Sequence, residues 1–269
     1  MSNRPIGIFD SGVGGLTVLK EIERILPFEN IVYFGDTARV PYGNKSKSTI
    51  IRFSRESANF LKKKKVKMIV VACNTSSALA LESLKKTFDL PILGVISAGV
   101  EKAIKVTNNK KIAVIGTKST INSCSYQKLI AKKDKSIKVY SKSCPLFVPL
   151  VEEGILNGGI VEAAIEMYLK DLRNKEVDTV ILGCTHYPLL KSQISLYFKS
   201  AVVINSAKEV AGQVLNILKF RKLLNSRKKK SKLEFYLSDE PKEFLKLAKL
   251  FLKRKISNPR IANPVRNPK

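Results

Sequence analysis

The chain has 269 residues, 44% of them apolar, a globular composition with material for one large core or two smaller ones rather than a disordered one. No stretch approaches the roughly 20 apolar residues of a membrane span, and the opening MSNRPIGIFDSG is not built like a secretory signal. A cytoplasmic protein with no membrane partner is therefore expected. The net charge of +27 fits lysine-rich solvated faces; it also leaves nucleic-acid binding open, although no DNA- or RNA-reading module accompanies it.

Short apolar runs alternate with amphipathic stretches, the pattern of βα units on a parallel sheet. Strands are expected at residues 5–10, 30–35, 67–72 and 91–95, with helices at 16–26 and 50–64. A second set of strands follows at 111–116, 137–141, 179–183 and 201–205, with a helix at 161–173. Helical pattern then runs from Ala207 to about Leu224, followed by a basic stretch at 221–232, a strand at 233–238 and a helix at 242–255. The two sets read as a degenerate repeat. Residues 1–97 with 207–255 are expected to form one α/β domain and 98–206 a second, with 256–269 a flexible, proline-punctuated tail.

The four cysteines, Cys73, Cys124, Cys144 and Cys184, show no metal-knuckle or small-disulfide spacing. Cys73 and Cys184 each follow the third apolar run of their set and precede a helix start, in VVACNTSSALALESL and VILGCTHYPLLKSQI. Ligands of open α/β sheets gather beyond the carboxyl ends of strands, so two facing domains would bring both thiols to one cleft. Oriented N–H groups at a helix start favour a thiolate. One thiolate can remove a proton from one face of a carbon while the opposite thiol delivers one to the other. That chemistry inverts a stereocentre with no cofactor and no metal.

The remaining candidates are polar groups on short loops. DSGVGGLTV carries Gly12, Gly14 and Gly15, which let the backbone approach an anion, but it matches neither nucleotide-binding glycine pattern. Asp10 is a candidate to orient an ammonium group or assist Cys73. His186, the one histidine of the chain, can hold a thiol proton or stabilise a thiolate. Glu152 is a second carboxylate for that side, with Glu153 beside it as the alternative. Ser11, Tyr42, Gly43, Asn74, Thr75 and Thr185, with Thr117, Ser119 and Thr120, complete a hydrogen-bonding lining suited to a desolvated zwitterion.

These residues resemble the glutamate racemase family, through GIFDSGVGGLTVL, YFGDTARVPYG, VACNTSSALAL, PILGVI, CPLFVPLVEEG and LGCTHYPLL. The resemblance runs from about residue 5 to 254. It implies two Rossmann-like α/β domains related by pseudo-twofold symmetry, with the active site in the cleft between them. It further implies Cys73 and Cys184 as acid/base residues, with Asp10, Glu152 and His186 assisting. Asp10–Ser11, Tyr42–Gly43, Asn74–Thr75 and Thr185–His186 match the family's substrate-binding pairs. The implied reaction is cofactor-independent interconversion of L- and D-glutamate for peptidoglycan synthesis. Related aspartate racemases usually carry an acidic residue at the position of His186, which favours glutamate. A homodimer is expected. The rival readings are a racemase for aspartate or another amino acid, and a basic binding protein on a racemase fold.

Overall fold

The computed structural model describes residues 2–226, 231–239, 241–256 and 259–265. The strand runs at 6–10, 31–35, 68–71, 111–116 and 179–183 are buried along nearly their whole length, as the interior of a helix-covered parallel sheet requires. The chain begins β1 (Ile6–Asp10), α1 (Leu16–Ile25), β2 (Ile31–Gly35), α2 (Lys47–Lys63), β3 (Met68–Val71), α3 (Asn74–Leu79), α4 (Leu81–Thr87), β4 (Ile92–Gly94) and α5 (Val95–Val106). It continues β5 (Lys111–Gly116), α6 (Lys118–Asn122), α7 (Ser125–Lys133), β6 (Lys138–Ser143), α8 (Phe147–Glu152), α9 (Gly159–Arg173), β7 (Thr179–Gly183), α10 (Lys191–Phe198) and β8 (Val202–Ile204). It closes with α11 (Ser206–Phe220), β9 (Leu233–Leu237), α12 (Pro241–Leu252) and β10 (Arg260–Ile261).

Two sheets result, ordered β10-β9-β2-β1-β3-β4 and β6-β5-β7-β8, with every pairing parallel. In the first sheet the chain steps from β1 to β2 on one side and resumes with β3 on the other; β5, β6 and β7 repeat that step. Each sheet therefore has one point where its winding reverses, the place where open α/β sheets bind ligands. Asp10 and Cys73 end or follow the two strands at the first reversal, and Thr117 and Cys184 follow the two at the second.

Helix α11 packs against both α1 and α5. One apolar core consequently runs between the sheets, from Leu16, Leu19 and Ile22 through Val210 and Val214 to Leu182 and Val203. Helix starts are set locally: Ser46, Thr117 and Asn205 cap α2, α6 and α11 by accepting from the N–H groups of Thr49, Thr120 and Ala207.

The flexible tail expected from 256 onward needs correction. Residues 260–261 pair with Tyr236 and Leu237 of β9, and Ala262 N–H donates to Leu237 at 2.7 Å. Proline punctuation is compatible with an edge strand this short. The rest of that stretch at 257–258 and 266–269, and the core of the basic run at 227–230, lie outside the described residues. Helix α2 starts at Lys47, before the expected position 50, and α11 stops at Phe220, short of Leu224.

One buried ammonium joins distant segments. Lys67 Nζ donates to Glu29 Oε2 at 2.5 Å, to the Ser2 carbonyl at 2.8 Å and to the Leu223 carbonyl at 2.7 Å. All three of its protons are thereby used. The Lys67 and Glu29 side chains are 1% and 3% exposed, and Glu29 Oε1 accepts from Asn225 N–H at 2.7 Å. Lys67→Met leaves Glu29 as an uncompensated buried charge and is expected to cost about 3–5 kcal/mol, read as a drop in the chemical-denaturation midpoint. The double change Lys67→Met with Glu29→Leu is expected to recover much of that loss; a double variant as unstable as the single one overturns the charge argument.

Candidate active site

Both cysteines line one cavity of about 220 Å³ between the two sheets. That is below the ~300–1,000 Å³ of drug-sized sites and suits a small metabolite. From the first sheet's side it is lined by Ser11, Tyr42, Gly43, Cys73, Asn74 and Thr75, and from the second by Thr117, Glu152, Cys184, Thr185 and His186. Lys118 and the apolar residues Val40, Pro41, Pro145, Val148 and Pro149 complete the wall. None of these was singled out in the sequence, where the signal came from their polar neighbours Tyr42, Thr117 and Glu152.

The sheets meet here at contact distance. A Cβ built on Gly14 would lie 2.2 Å from Thr185 Oγ1 and 2.7 Å from His186 Nδ1, and one on Gly43 would lie 2.7 Å from Thr117 Cβ. Glycine at these two places is a steric requirement of the approach. Hydroxyls fasten the same seam. Thr75 Oγ1 lies 3.0 Å from Thr117 Oγ1 and 3.2 Å from Thr120 Oγ1, and Ser119 donates to the Gly43 carbonyl at 2.8 Å.

The two thiols sit in unlike surroundings. Cys73 occupies the cap position of α3, and its Sγ lies 3.8 Å from Ser11 Oγ. Burial and the neighbouring Asp10 carboxylate push its thiol up to about 12, against the lowering pull of Ser76 and Ser11. Cys184 Sγ lies 3.9 Å from His186 Nδ1, and His186 Nε2 lies 3.0 Å from Glu152 Oε1. Burial draws the imidazole down, but its hydrogen bonds to Cys184 and Glu152 prevail and hold it at about 10. A Glu152–His186–Cys184 line therefore carries a cation at ordinary pH.

Three expected site residues are not in the wall: Ser119 lines a separate cavity, and Asp10 and Thr120 stand behind this one. Asp10 is fully buried and absent from the lining. Its Oδ2 accepts from Gly12 N–H at 3.0 Å, while Oδ1 has no partner. Burial raises its carboxyl above the usual range, opposed by His186 and the N–H groups of Gly12, Gly15 and Ser11. It thus lies within electrostatic reach of both catalytic candidates, Cys73 and His186. Thr120 is 1% exposed and spends its hydroxyl on Thr75 and Thr117, so it supports the lining instead of joining it. Tyr42, by contrast, is both lining and anchored. Its hydroxyl donates to the buried Asp36, which also accepts from Arg39 Nε at 2.7 Å and from Ser238 Oγ at 2.9 Å.

Size does not locate this chemistry. A larger cavity of about 1010 Å³ opens beyond the far end of α3, lined by Lys45, Lys47, Lys85, Lys128 and Lys132, and it holds neither thiol. Among the described residues no group of His, Cys, Asp and Glu is arranged to hold a metal, and no helix is long and apolar enough to cross a membrane.

The family model described as Asp/Glu/Hydantoin racemase matches residues 6–214. A glutamate racemase from Aquifex aeolicus is 49% identical over 260 residues, 97% of this chain and 98% of that protein. Among solved structures, a glutamate racemase isoform from Bacillus anthracis superposes with a TM-score of 0.95 at 39% identity, covering 99% of this chain and 100% of that one. A glutamate racemase from Francisella tularensis, crystallised with D-glutamate, gives 0.93 at 41% identity, covering 98% and 99%. The fold is that of these amino-acid racemases, and the chain belongs to the Asp/Glu/Hydantoin racemase family. Within that family it stands with the glutamate racemases, which are isomerases.

Two measurements follow. The folded value of His186 lies above the ordinary one of about 6.5, so its contribution to stability is complete below about pH 6.5. That contribution is lost as pH rises through about 10. Because the chain has a single histidine, the imidazole signals of untagged protein are expected to stay constant from pH 6 to 8 and to titrate in that range in Glu152→Gln; a wild-type midpoint near 6.5 contradicts the charged line. The second measurement concerns the seam. Gly14→Ala forces Thr185 and His186 to move, and a displacement of about 1 Å is expected to lower kcat/KM by about 10²-fold; an unimpaired variant shows that the contact is not needed.

Proposed function

We propose that this enzyme interconverts L- and D-glutamate by two-base proton transfer between Cys73 and Cys184, with protein groups alone handling the protons. The observation that carries the reading is that two thiols, each following the strand at its own sheet's winding reversal, both line one small cavity. In one direction a thiolate takes the α-hydrogen as a proton, so the Cα–H bond breaks and an S–H bond forms. The opposite thiol then gives its proton to the other face, forming a new Cα–H bond and leaving a thiolate. The reverse reaction exchanges the roles.

The surroundings supply the asymmetry such an exchange needs. Cys73, buried beside Asp10, holds its proton firmly, whereas Cys184 has the His186 imidazole 3.9 Å from its sulfur. The carbanionic intermediate is the hard step, and the cavity offers N–H and O–H donors from Ser11, Asn74, Thr75 and Thr185 to substrate carboxylates. Glutamate as the substrate is supported by the naming of the relatives and by the D-glutamate in the complex of one of them. Supply of D-glutamate to peptidoglycan synthesis in the cytoplasm, by a homodimer, belongs to the same proposal.

In deuterated water, without pyridoxal phosphate, each glutamate enantiomer is expected to lose optical purity while gaining deuterium at the α-carbon. No interconversion at high enzyme concentration overturns the proposal. Cys73→Ser and Cys184→Ser are each expected to lower turnover in both directions by about 10² to 10⁴-fold; a fully active single variant removes that cysteine from the mechanism. Aspartate and other amino acids in the same assay test the rival substrates.

A further inference from the structure

Behind the cavity lies a pair of buried hydroxyls that the sequence did not single out. Tyr126, on α7 of the second sheet's layer, is 1% exposed, and its hydroxyl donates to Asn74 Oδ1 at 2.7 Å. Asn74 is the first residue of α3, next to Cys73, and belongs to the first sheet's layer. Ser206, the first residue of α11, has a buried hydroxyl near the phenol that makes no hydrogen bond of its own. Its place is held open by Gly99 on α5, where a Cβ would come within 2.3 Å of Ser206 Oγ.

The arrangement settles which way the Asn74 amide points. A side-chain amide has one acceptor and one donor end, and only the hydrogen-bond partners distinguish them. Burial pushes the Tyr126 phenol up, so it stays an O–H donor throughout the working pH range. The phenol's proton goes to Asn74 Oδ1, 2.7 Å away. The Asn74 Nδ2 donates to no described residue, and Asn74 lines the cavity that holds both thiols.

We infer that Tyr126 is a positioning residue: by occupying Asn74 Oδ1 from the opposite domain, it turns the amide N–H donors into the cavity to receive a substrate carboxylate. This rests on the reading of the cavity as an amino-acid site. A phenylalanine at 126 keeps the ring and its packing but releases the amide, which can then rotate and present its oxygen to an anion. The effect belongs to binding of the carboxylate in ground state and transition state alike, and so to KM rather than kcat.

The test is a double-mutant cycle on glutamate racemisation in both directions, with wild type, Tyr126→Phe, Asn74→Ala and the double variant. One oriented hydrogen bond corresponds to about 2- to 10-fold. Tyr126→Phe is expected to raise KM for both enantiomers within that range while kcat changes by less than about twofold. Asn74→Ala is expected to raise KM at least as much, and adding Tyr126→Phe to it to change nothing further. An unchanged KM in Tyr126→Phe, or penalties that multiply in the double variant, overturns the inference. Should Tyr126→Phe not fold, Tyr126→Met takes its place in the cycle, with a KM increase that vanishes in the Asn74→Ala background; one that persists there overturns it equally. A wild-type enzyme inactive on glutamate overturns the substrate reading and this inference together, whereas an active wild type with an unaffected Tyr126→Phe overturns this inference alone.

Discussion

The closeness of the two sheets at Gly14 is the constraint on which the site depends. No side chain fits between that backbone and the Thr185–His186 turn, so the carboxyl ends of β1 and β7 are held at van der Waals contact. The groups at these and the neighbouring strand ends then gather about one cavity, Cys73 from one winding reversal and Thr117 and Cys184 from the other, with Asp10 buried behind the wall. The core that presses the sheets together lies on the far side of this contact, where α11 packs on both α1 and α5. Packing supplies the force, and the missing side chain of one residue sets how far it can act.

Within that frame, the symmetry of the backbone is broken by the side chains. Both thiols occupy equivalent places after the third strand of a four-strand unit, yet one neighbours a buried carboxylate and the other a buried imidazole. The His186 ring is held charged by its contacts to Cys184 and to Glu152, the latter partly in solvent at the end of α8. Asp10 couples the two halves, because its buried carboxylate is felt at Cys73 and at His186. Two chemically identical groups are in this way made unequal without any difference in the strands that carry them.

Much of this was legible in the sequence, for identifiable reasons. Buried parallel strands announce themselves as unbroken apolar runs, and ten-to-fifteen-residue amphipathic stretches such as α1 and α9 follow their period. Short helices such as α3, α6 and α8 do not, because one or two turns give the period nothing to repeat over. The cysteines, His186 and the glycine loop carried chemistry that pattern reading can find. Tyr126 could not be found that way: an aromatic on an amphipathic helix reads as core, and its hydroxyl acquires meaning only through a residue on the other sheet. The burial of Asp10 and Thr120 behind the lining was invisible for the same reason, since spacing reports which residues gather and not which of them stands in front. Proline punctuation after position 256 suggested looseness, whereas Arg260 and Ile261 found a strand to pair with.

That last pairing has a consequence for the molecule among its own copies. β9 is a five-residue strand, Leu233–Leu237, with unpaired backbone groups on its outer side wherever nothing covers it. An exposed strand of that length is a template on which another chain can add itself. β10 covers part of it with only two residues. It carries Arg260 beside the Tyr236 ring and is followed closely by Pro264, which has no N–H to offer a further strand. Among the described residues, Arg260 and Ile261 leave the sheet with a short, charged edge, a poor template for another strand to extend.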